Sequence, residues 1–136
     1  MCFNALLSVE DSLPSLKDKS SKVLDLGCGL GKLGDTLCNA GFSNLYGLEK
    51  TDSYIKIASE RGSYKKVEKG IVGKTRLPPE HTRSFDVVFC TSQLVRNINP
   101  TATFKFALSA LKSQGLFIFA LKDSSLDPDT QIWKGF

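Results

Sequence analysis

The chain has 136 residues, 41% hydrophobic and 24% charged, and its 18 basic and 14 acidic side chains give a net charge of +4. This length predicts one domain with its own core, and the composition excludes disordered and fibrous proteins. The excess of positive charge is small and spread along the chain, so it favours an ordinary solvated surface over a nucleic-acid-binding one.

Targeting signals and cysteine pairs are both missing from the sequence pattern. Residues 1–24 lack the basic start and long apolar run of a signal peptide, and the longest apolar run, Gly115–Leu121, is too short to cross a bilayer. No two cysteines have the C-x-x-C spacing of a zinc or redox site. The four cysteines are Cys2, Cys28, Cys38 and Cys90. We therefore expect reduced thiols, no metal site, no membrane contact and a cytoplasmic or nuclear location.

Strand and helix patterns alternate along most of the chain. After a weakly patterned segment, 1–21, interrupted at Pro14, the predicted order is strand 22–26, helix 32–40, strand 45–49, helix 52–61, strand 66–72, strand 85–90, helix 99–111 and strand 116–121. This alternation predicts an α/β fold with a doubly wound, mostly parallel sheet. The single domain then consists of the segment 1–21, a core at 22–122 and a tail at 123–136.

Several side chains receive specific placements from these patterns. In the second helix Tyr54, Ile55 and Ala58 are expected to face inward, and the lysine-rich third strand is expected at an edge of the sheet. The third helix is expected to run through Phe104, Ala107, Leu108 and Leu111, with Phe104 or Phe106 facing outward. The glycines expected to end the three helices are Gly41, Gly62 and Gly115.

The strongest motif follows the first strand. Asp25-Leu26-Gly27-Cys28-Gly29-Leu30-Gly31 opens the first helix, and its glycines allow a tight turn in which a ligand can lie against bare main chain. Glu49 ends the second strand, where a carboxylate can accept both hydroxyl protons of a ribose. A glycine-rich turn with a ribose carboxylate at this separation predicts an adenosine-type cofactor.

Two cofactor classes compete for this motif. Gly29-Leu30-Gly31-Lys32-Leu33-Gly34 also satisfies G-x-G-x-x-G, the fingerprint of dinucleotide-binding domains, although that pattern alone is weak. Asp25 would repel the phosphates of a dinucleotide, whereas it can accept a charge-assisted hydrogen bond from the ammonium of S-adenosylmethionine. The sequence therefore favours S-adenosylmethionine, with a nicotinamide dinucleotide as the less favoured alternative.

Four segments of the chain resemble class I (Rossmann-like) S-adenosylmethionine-dependent methyltransferases. Val23–Gly31 resembles their motif I, Tyr46–Thr51 their second strand with its ribose-binding acid, Phe85–Val88 their fourth strand, and Leu111–Leu116 the loop into their fifth. The resemblance covers roughly residues 22–122. The spacing of Arg61-Gly62-x-Tyr64 from Leu77-Pro78 is also similar to that of the methyltransferase-like proteins of the Williams–Beuren syndrome region.

The resemblance implies cofactor contacts at the ends of the first, second and fourth strands. The positions concerned are Asp25, Gly27, Cys28, Gly29, Gly31, Glu49, Lys50, Cys90 and Thr91. Asp25 and the glycines would hold the methionine part and Glu49 the ribose, while the stem of Lys50 would cover adenine. Cys90 and Thr91 would lie near the methyl donor. No residue is identified as catalytic.

Two departures from the family pattern matter. The stretch 73–76 before Leu77 lacks the acid with which many members bind the adenine amino group. The resemblance also implies seven strands, but this chain has room for little more than five, so the apolar fifth strand would be an exposed edge. We expect the chain to be a fragment of a longer protein; the alternative is that another chain pairs with this edge.

Three further residues are expected to have structural roles. Asp86 is expected to cap nearby amides, Cys90 to be a core thiol and His81, in a polar loop, to be exposed to solvent. Because the sequence shows no convincing general base, the expected reaction is methyl transfer to a small-molecule acceptor whose nucleophile ionises easily, or to a group positioned by residues missing from this sequence. A protein acceptor is the second possibility, and nucleic acid is disfavoured. A non-catalytic cofactor-binding fragment or partner subunit is the alternative from another class.

Overall fold

A computed structural model describes residues 13–92 and 99–120 of the chain. The helices are α1 (Pro14–Lys17), α2 (Lys32–Asn39), α3 (Asp52–Glu60) and α4 (Pro100–Ala110), with a 3₁₀ turn at Pro79–His81. The strands are β1 (Val23–Leu26), β2 (Leu45–Glu49), β3 (Lys66–Lys69), β4 (Phe85–Cys90) and β5 (Leu111–Phe119). The predicted order of elements is therefore confirmed.

The five strands form one parallel sheet in the order β3-β2-β1-β4-β5. Helices cover both faces of it: Leu24 and Val88 belong to the core cluster under α4, whereas Val23 and Val87 pack with residues of the other three helices. This is the predicted doubly wound α/β fold. The chain order reverses beside β1, so the carboxyl ends of β1, β2 and β4 meet where such folds bind ligands.

The third strand lies at an edge of the sheet, as predicted, but it is shorter than the sequence suggested. It ends at Lys69, and 46% of Ile71 is exposed. The carbonyl of Ile71 instead accepts the amides of Lys74 and Thr75, at 3.0 and 2.9 Å. A turn with its own hydrogen bonds therefore replaces the last part of the predicted strand.

The boundary between α4 and β5 differs from the prediction that Gly115 ends this helix. The helix ends at Ala110, and Leu111 already pairs with Phe85. The amides of Arg83 and Ser84 bind the carbonyls of Ser109 and Ala110, at 2.9 and 3.0 Å. These partners satisfy the last helical carbonyls from outside the helix, so the chain turns into the sheet earlier than its own sequence indicates.

One side chain of α3 that was expected to face inward is exposed, and so is one apolar side chain of α4. Ile55 is half-buried and Ala58 is buried as predicted, but Tyr54 is 40% exposed. Because a Cβ at Gly31 would lie 3.2 Å from Ala58, α3 packs too closely on the glycine loop to bury an aromatic ring there. In α4, Leu108 is 63% exposed, since the buried face runs through Thr103, Phe106, Ala107 and Ala110 instead.

His81 is buried, and the prediction that it is exposed to solvent is wrong. Its ring packs on Tyr46 and Phe85, with centroids 5.2 and 5.3 Å away. Nδ1 lies 3.4 Å from the Lys22 ammonium and Nε2 lies 3.3 Å from a Glu68 carboxylate oxygen. These partners are distant in sequence, and they satisfy both ring nitrogens in a position that a polar loop does not reveal.

The aromatic residues of α4 and β5 lie at the other edge of the sheet. Phe106 is buried, whereas Phe104 is half-buried and packs edge-on against Phe117 and Phe119 of β5. Beside β4, the apolar end of β5 is only half-buried, so the described part of the sheet does expose the predicted edge. Pairing of another chain with it stays a prediction, and the tail from 121 onward lies outside the described residues.

The described residues contain neither a disulfide nor a helix that could span a membrane. Cys28 and Cys90 are buried, Cys38 is exposed, and none of these three is in a disulfide; Cys2 lies outside the described residues. Within 13–92 and 99–120, every helix is too short or too polar to pass through a bilayer.

Asp86 caps a backbone amide next to β1, as predicted, and its replacement is expected to lower the stability of the fold. One carboxylate oxygen accepts the Lys22 amide at 2.8 Å, and the other binds the Lys112 ammonium at 2.9 Å on the surface. Asp86→Ala leaves that amide without its partner, and we expect the free energy of unfolding to fall by about 1–2 kcal/mol. Urea denaturation measures this. Lys112→Ala is the control, expected to change stability by less than about 0.5 kcal/mol; equal effects would assign the role to the surface ion pair instead.

Candidate functional site

The glycine-rich turn lies between β1 and α2, at the carboxyl end of the sheet. Gly27, Gly29 and Gly31 have φ angles of 71°, 55° and 85°, the left-handed conformation that other residues avoid. The amides of Gly27 and Cys28 both donate to the carbonyl of Leu48, at 2.8 and 3.1 Å. The turn is therefore fixed to the end of β2, beside the predicted ribose acid.

Glu49 is the residue that connects β2 to the glycine turn. It is only 5% exposed, and one carboxylate oxygen accepts the Gly29 amide at 3.0 Å. Its other oxygen accepts the amides of Lys50 and Thr51, at 2.9 and 3.0 Å. A carboxylate has about four acceptor positions, so about one remains for a ligand hydroxyl. Glu49 thus has a structural function in addition to the predicted ribose contact.

Asp25 is a buried carboxylate with one satisfied oxygen. Only 2% of the residue is exposed, and one oxygen accepts the Tyr64 hydroxyl at 2.6 Å, while the other has no hydrogen-bond partner among the described residues. Burial, together with a smaller contribution from the Glu49 carboxylate, raises the pKa of Asp25 to about 6 against the opposing effect of the Tyr64 hydrogen bond. A cationic hydrogen-bond donor would satisfy the second oxygen and favour the ionised form.

Tyr64 is a site residue that the sequence interpretation missed. It is 7% exposed, and besides donating to Asp25 its hydroxyl accepts the Gly34 amide at 3.1 Å. A Cβ at Gly34 would overlap the ring of Tyr64, so only glycine leaves room for this approach. Gly34 is the sequence feature that could have revealed Tyr64. It is the last glycine of the apparent dinucleotide fingerprint, and here it leaves space for the tyrosine ring.

Two other residues of the glycine turn, Gly31 and Cys28, pack against neighbouring elements of the protein. Gly31 approaches α3, since a Cβ there would lie 3.2 Å from both Ala58 and Arg61. Cys28 lies over Gly47, and burial raises the pKa of its thiol to about 12, which keeps it neutral. Both residues therefore shape the turn by packing and offer a ligand only their main chain.

The end of β4 completes this edge of the sheet. Cys90 is fully buried in the core under α4, as the core-thiol prediction required, and Thr91 beyond it is half-buried. The Ser92 hydroxyl donates to the carbonyl of Gly27 at 3.0 Å. Of the predicted pair, only Thr91 presents a partly exposed side chain near the glycine turn.

A groove runs beside Glu49 between the ends of β1, β2 and β3. Its lining residues are Gly27, Leu48, Glu49, Lys50, Gly70, Ile71 and Val72. Lys50 is exposed at one wall, and the exposed Ile71 stands at another. The sequence interpretation missed Ile71, because it placed this residue in a strand and searched the following stretch for an acid.

The burial of Asp25 gives a prediction for stability against pH. The folded state holds the Asp25 proton more tightly than the unfolded chain, whose ordinary pKa is 3.8. Stability from this group is therefore greatest below about pH 4, falls as pH rises to about 6 and stays low above that. Asp25→Asn, which is neutral and isosteric, is expected to be more stable than the original chain at pH 7.5 by on the order of 2 kcal/mol.

Urea unfolding at pH 4 and pH 7.5 measures this difference. Near pH 4 the original chain and Asp25→Asn should be closely similar in stability. Asp52→Asn is the matched control, because Asp52 is exposed and its surface ion pair with Lys69 contributes little. If Asp25→Asn is more stable than the original chain by the same amount at both pH values, the pH dependence of stability does not come from the Asp25 proton.

The arrangement defines a class of fold. A parallel sheet in the order 3-2-1-4-5, a glycine turn after β1 preceded by a buried acid, and a second acid ending β2 together describe the Rossmann-like fold of class I methyltransferases. The family model described as "Methyltransferase domain" matches residues 17–133. The chain belongs to this methyltransferase family, as the resemblance predicted, and not to the dinucleotide-binding alternative.

Curated relatives and solved structures agree with this membership. The chain is 29% identical over 114 residues to a ubiquinone biosynthesis O-methyltransferase of Idiomarina loihiensis, covering 82% of this chain and 45% of the relative. It is 31% identical over 113 residues to the protein of the same name from Bordetella parapertussis, with coverage of 82% and 45%. The chain thus spans about half the length of the curated relatives that it matches.

The structural neighbours support the fold. An S-adenosylmethionine-dependent methyltransferase from Mesorhizobium loti superimposes with a TM-score of 0.66 at 24% identity, covering 83% of this chain and 50% of that one. The [4+2]-cyclase SpnF superimposes with a TM-score of 0.70 at 17% identity, over 96% and 49%. Proteins named for different reactions share this fold, so the reaction has to be argued from the site.

Proposed function

We propose that this domain binds S-adenosylmethionine and takes part in transferring its methyl group to an oxygen of a small-molecule acceptor. The observation that carries the proposal is the buried Asp25 carboxylate beside a left-handed glycine turn, with one carboxylate oxygen that has no hydrogen-bond partner within residues 13–92 and 99–120. An unsatisfied buried acceptor costs about 1–3 kcal/mol, so a ligand that supplies the missing donor is favoured.

The charge at this position selects the cofactor class. A nicotinamide dinucleotide would bring two phosphates toward Asp25 and Glu49, both of which are buried acids. S-adenosylmethionine brings an ammonium, which Asp25 would bind directly or through one water. When bound, it supplies a methyl group already activated by a sulfonium. The residues present therefore fit this cofactor and disfavour the dinucleotide.

The other proposed contacts use the same edge of the sheet. A Cβ at Gly29 would have nothing within 4 Å, so open space adjoins bare main chain where the methionine part is proposed to lie. Glu49 would accept a ribose hydroxyl with its remaining acceptor position. The stem of Lys50 and the side chain of Ile71 would flank adenine in the groove, and Thr91 would lie near the methyl donor.

The acceptor class follows from the relatives and from the protonation of the site. The curated relatives are named O-methyltransferases for ubiquinone biosynthesis, which supports a small-molecule acceptor with an oxygen nucleophile. Burial raises the pKa of the Cys28 thiol and that of the Tyr64 phenol, so both stay protonated at neutral pH and neither acts as a base. An acceptor oxygen that ionises easily suits such a site, because the enzyme then only has to align the reacting atoms and exclude water.

Calorimetric titration with S-adenosylhomocysteine tests the cofactor class, with NADH as the comparator and Asp25→Asn as the matched variant. We expect the homocysteine product to bind the original chain and NADH not to bind. Asp25→Asn should lose about 10-fold in affinity, since it removes one charge-assisted hydrogen bond. Selective NADH binding would overturn the proposal.

Transfer itself needs a second measurement. A donor labelled in its methyl group is incubated with the chain and a panel of small phenols, and label in the product is counted. Transfer above the level of Asp25→Asn supports catalysis by this chain. Binding without any transfer would instead support the non-catalytic cofactor-binding alternative.

A further inference from the structure

The Tyr64 hydroxyl has two hydrogen-bond partners among the described residues, and it can donate its proton to only one of them. The Gly34 amide donates to the hydroxyl oxygen at 3.1 Å, so this side of the oxygen serves as the acceptor. The proton is left for the Asp25 oxygen, 2.6 Å away. Because the ring is buried and fills the space that glycine leaves on α2, Tyr64 is fixed both at its ring and at its hydroxyl.

We propose that Tyr64 is a positioning residue, which holds one oxygen of Asp25 and so reserves the other for the cationic group of the ligand. This inference rests on the proposed function. The geometry divides the carboxylate between two tasks: one oxygen is anchored by Tyr64, and the other is an acceptor that no described residue binds. An Asp25 carboxyl without this anchor could rotate and present either oxygen, or its own proton, to the ligand.

The groups that face Asp25 make the anchor electrostatically important. They are the Tyr64 phenol, the Cys28 thiol and the Glu49 carboxylate. Phenol and thiol stay neutral, whereas Glu49 is acidic and opposes ionisation of Asp25. The Tyr64 hydrogen bond lowers the pKa of Asp25 and so favours the charged form that a cation requires. Tyr64 thereby sets the pH above which the site accepts a cationic ligand.

The test is the pH profile of S-adenosylhomocysteine binding to the original chain and to Tyr64→Phe. For the original chain we expect affinity to rise through about pH 6, the pKa of Asp25, and then to level off. Tyr64→Phe keeps the ring and loses the donor, so its midpoint should lie about one pH unit higher, with affinity about 2-fold lower at pH 7 and about 10-fold lower at pH 5.

Tyr46→Phe is the matched control, since Tyr46 is a half-buried tyrosine of β2 that packs on His81 and Phe85, away from Asp25. Its profile should coincide with that of the original chain. In Asp25→Asn the rise through pH 6 should disappear. A lower affinity for Tyr64→Phe with an unmoved midpoint would show a merely structural role and overturn the inference.

The outcomes keep this inference separate from the proposed function. Failure of the original chain to bind S-adenosylhomocysteine would refute the function itself, whereas binding with equal profiles for both chains refutes only the role of Tyr64. Circular dichroism checks the fold of Tyr64→Phe. Should that variant be unfolded, 3-fluorotyrosine in a Tyr46→Phe, Tyr54→Phe background supplies a stronger donor at Tyr64. The midpoint should then shift to lower pH, and an unmoved midpoint again overturns the inference.

Discussion

Glu49→Ala is expected to weaken S-adenosylhomocysteine binding by about 100-fold while the chain stays folded. The change removes the acceptor of the Gly29, Lys50 and Thr51 amides together with the proposed ribose contact. Hydrogen bonds to a charged group contribute about 1.5–3 kcal/mol each, and losing the ribose contact and the fixed position of the Gly29 turn together accounts for an effect of this size. Calorimetric titration at pH 7.5 measures it.

Two further variants separate the parts of this effect. Glu49→Gln keeps one acceptor oxygen but turns an amide donor toward backbone amides, so we expect an intermediate loss of about 10-fold. Glu60→Ala, which removes an exposed acid from α3, should leave affinity unchanged. Unaltered binding by a folded Glu49→Ala would contradict both the ribose contact and the function of Glu49 in holding the turn.

The parts of this domain that could be predicted from sequence are those that depend on neighbours along the chain. Apolar runs define β1, β2 and β4, and the alternation with helices defines the parallel sheet. Glycines between β1 and α2 define the turn, and Asp25 and Glu49 stand at strand ends, where a parallel sheet brings them together. Local pattern therefore predicted that the glycine turn, Asp25 and Glu49 lie together at the carboxyl end of the sheet.

The parts that sequence did not reveal depend on partners far along the chain. His81 is buried because Lys22 and Glu68 satisfy its ring nitrogens, and no feature of the loop 77–83 indicates this. The end of α4 is set by the amides of Arg83 and Ser84. Tertiary hydrogen bonds can thus override the local signals of exposure and of helix length.

Tyr64 belongs to the same group, since its partner Asp25 lies 39 residues earlier. Its surroundings also explain why the G-x-G-x-x-G pattern is misleading in this chain. In a dinucleotide-binding domain the last glycine lets the helix pack on the strand. Here Gly34 makes room for the Tyr64 ring and donates its amide to the hydroxyl. The same glycine pattern therefore positions a tyrosine hydroxyl against the Asp25 carboxylate in this chain.

Gly34→Ala is accordingly expected to lower the free energy of unfolding by about 3 kcal/mol, because the added Cβ would overlap the Tyr64 ring inside a packed core. Gly34 lies within α2, where alanine is the better helix former by about 1 kcal/mol. The sign of the effect should therefore depend on Tyr64. In a Tyr64→Ala background the overlap is gone, and Gly34→Ala should stabilise the chain by up to about 1 kcal/mol.

Urea denaturation of Gly34→Ala, Tyr64→Ala and the double variant measures this coupling. Gly62→Ala is the control: Gly62 has a φ of 74° and open space around it, so alanine there should cost about 1 kcal/mol whichever residue stands at 64. If Gly34→Ala destabilises equally with and without the Tyr64 ring, Gly34 is required for another reason. Such a result would refute the proposed contact by which Tyr64 connects α2 to Asp25.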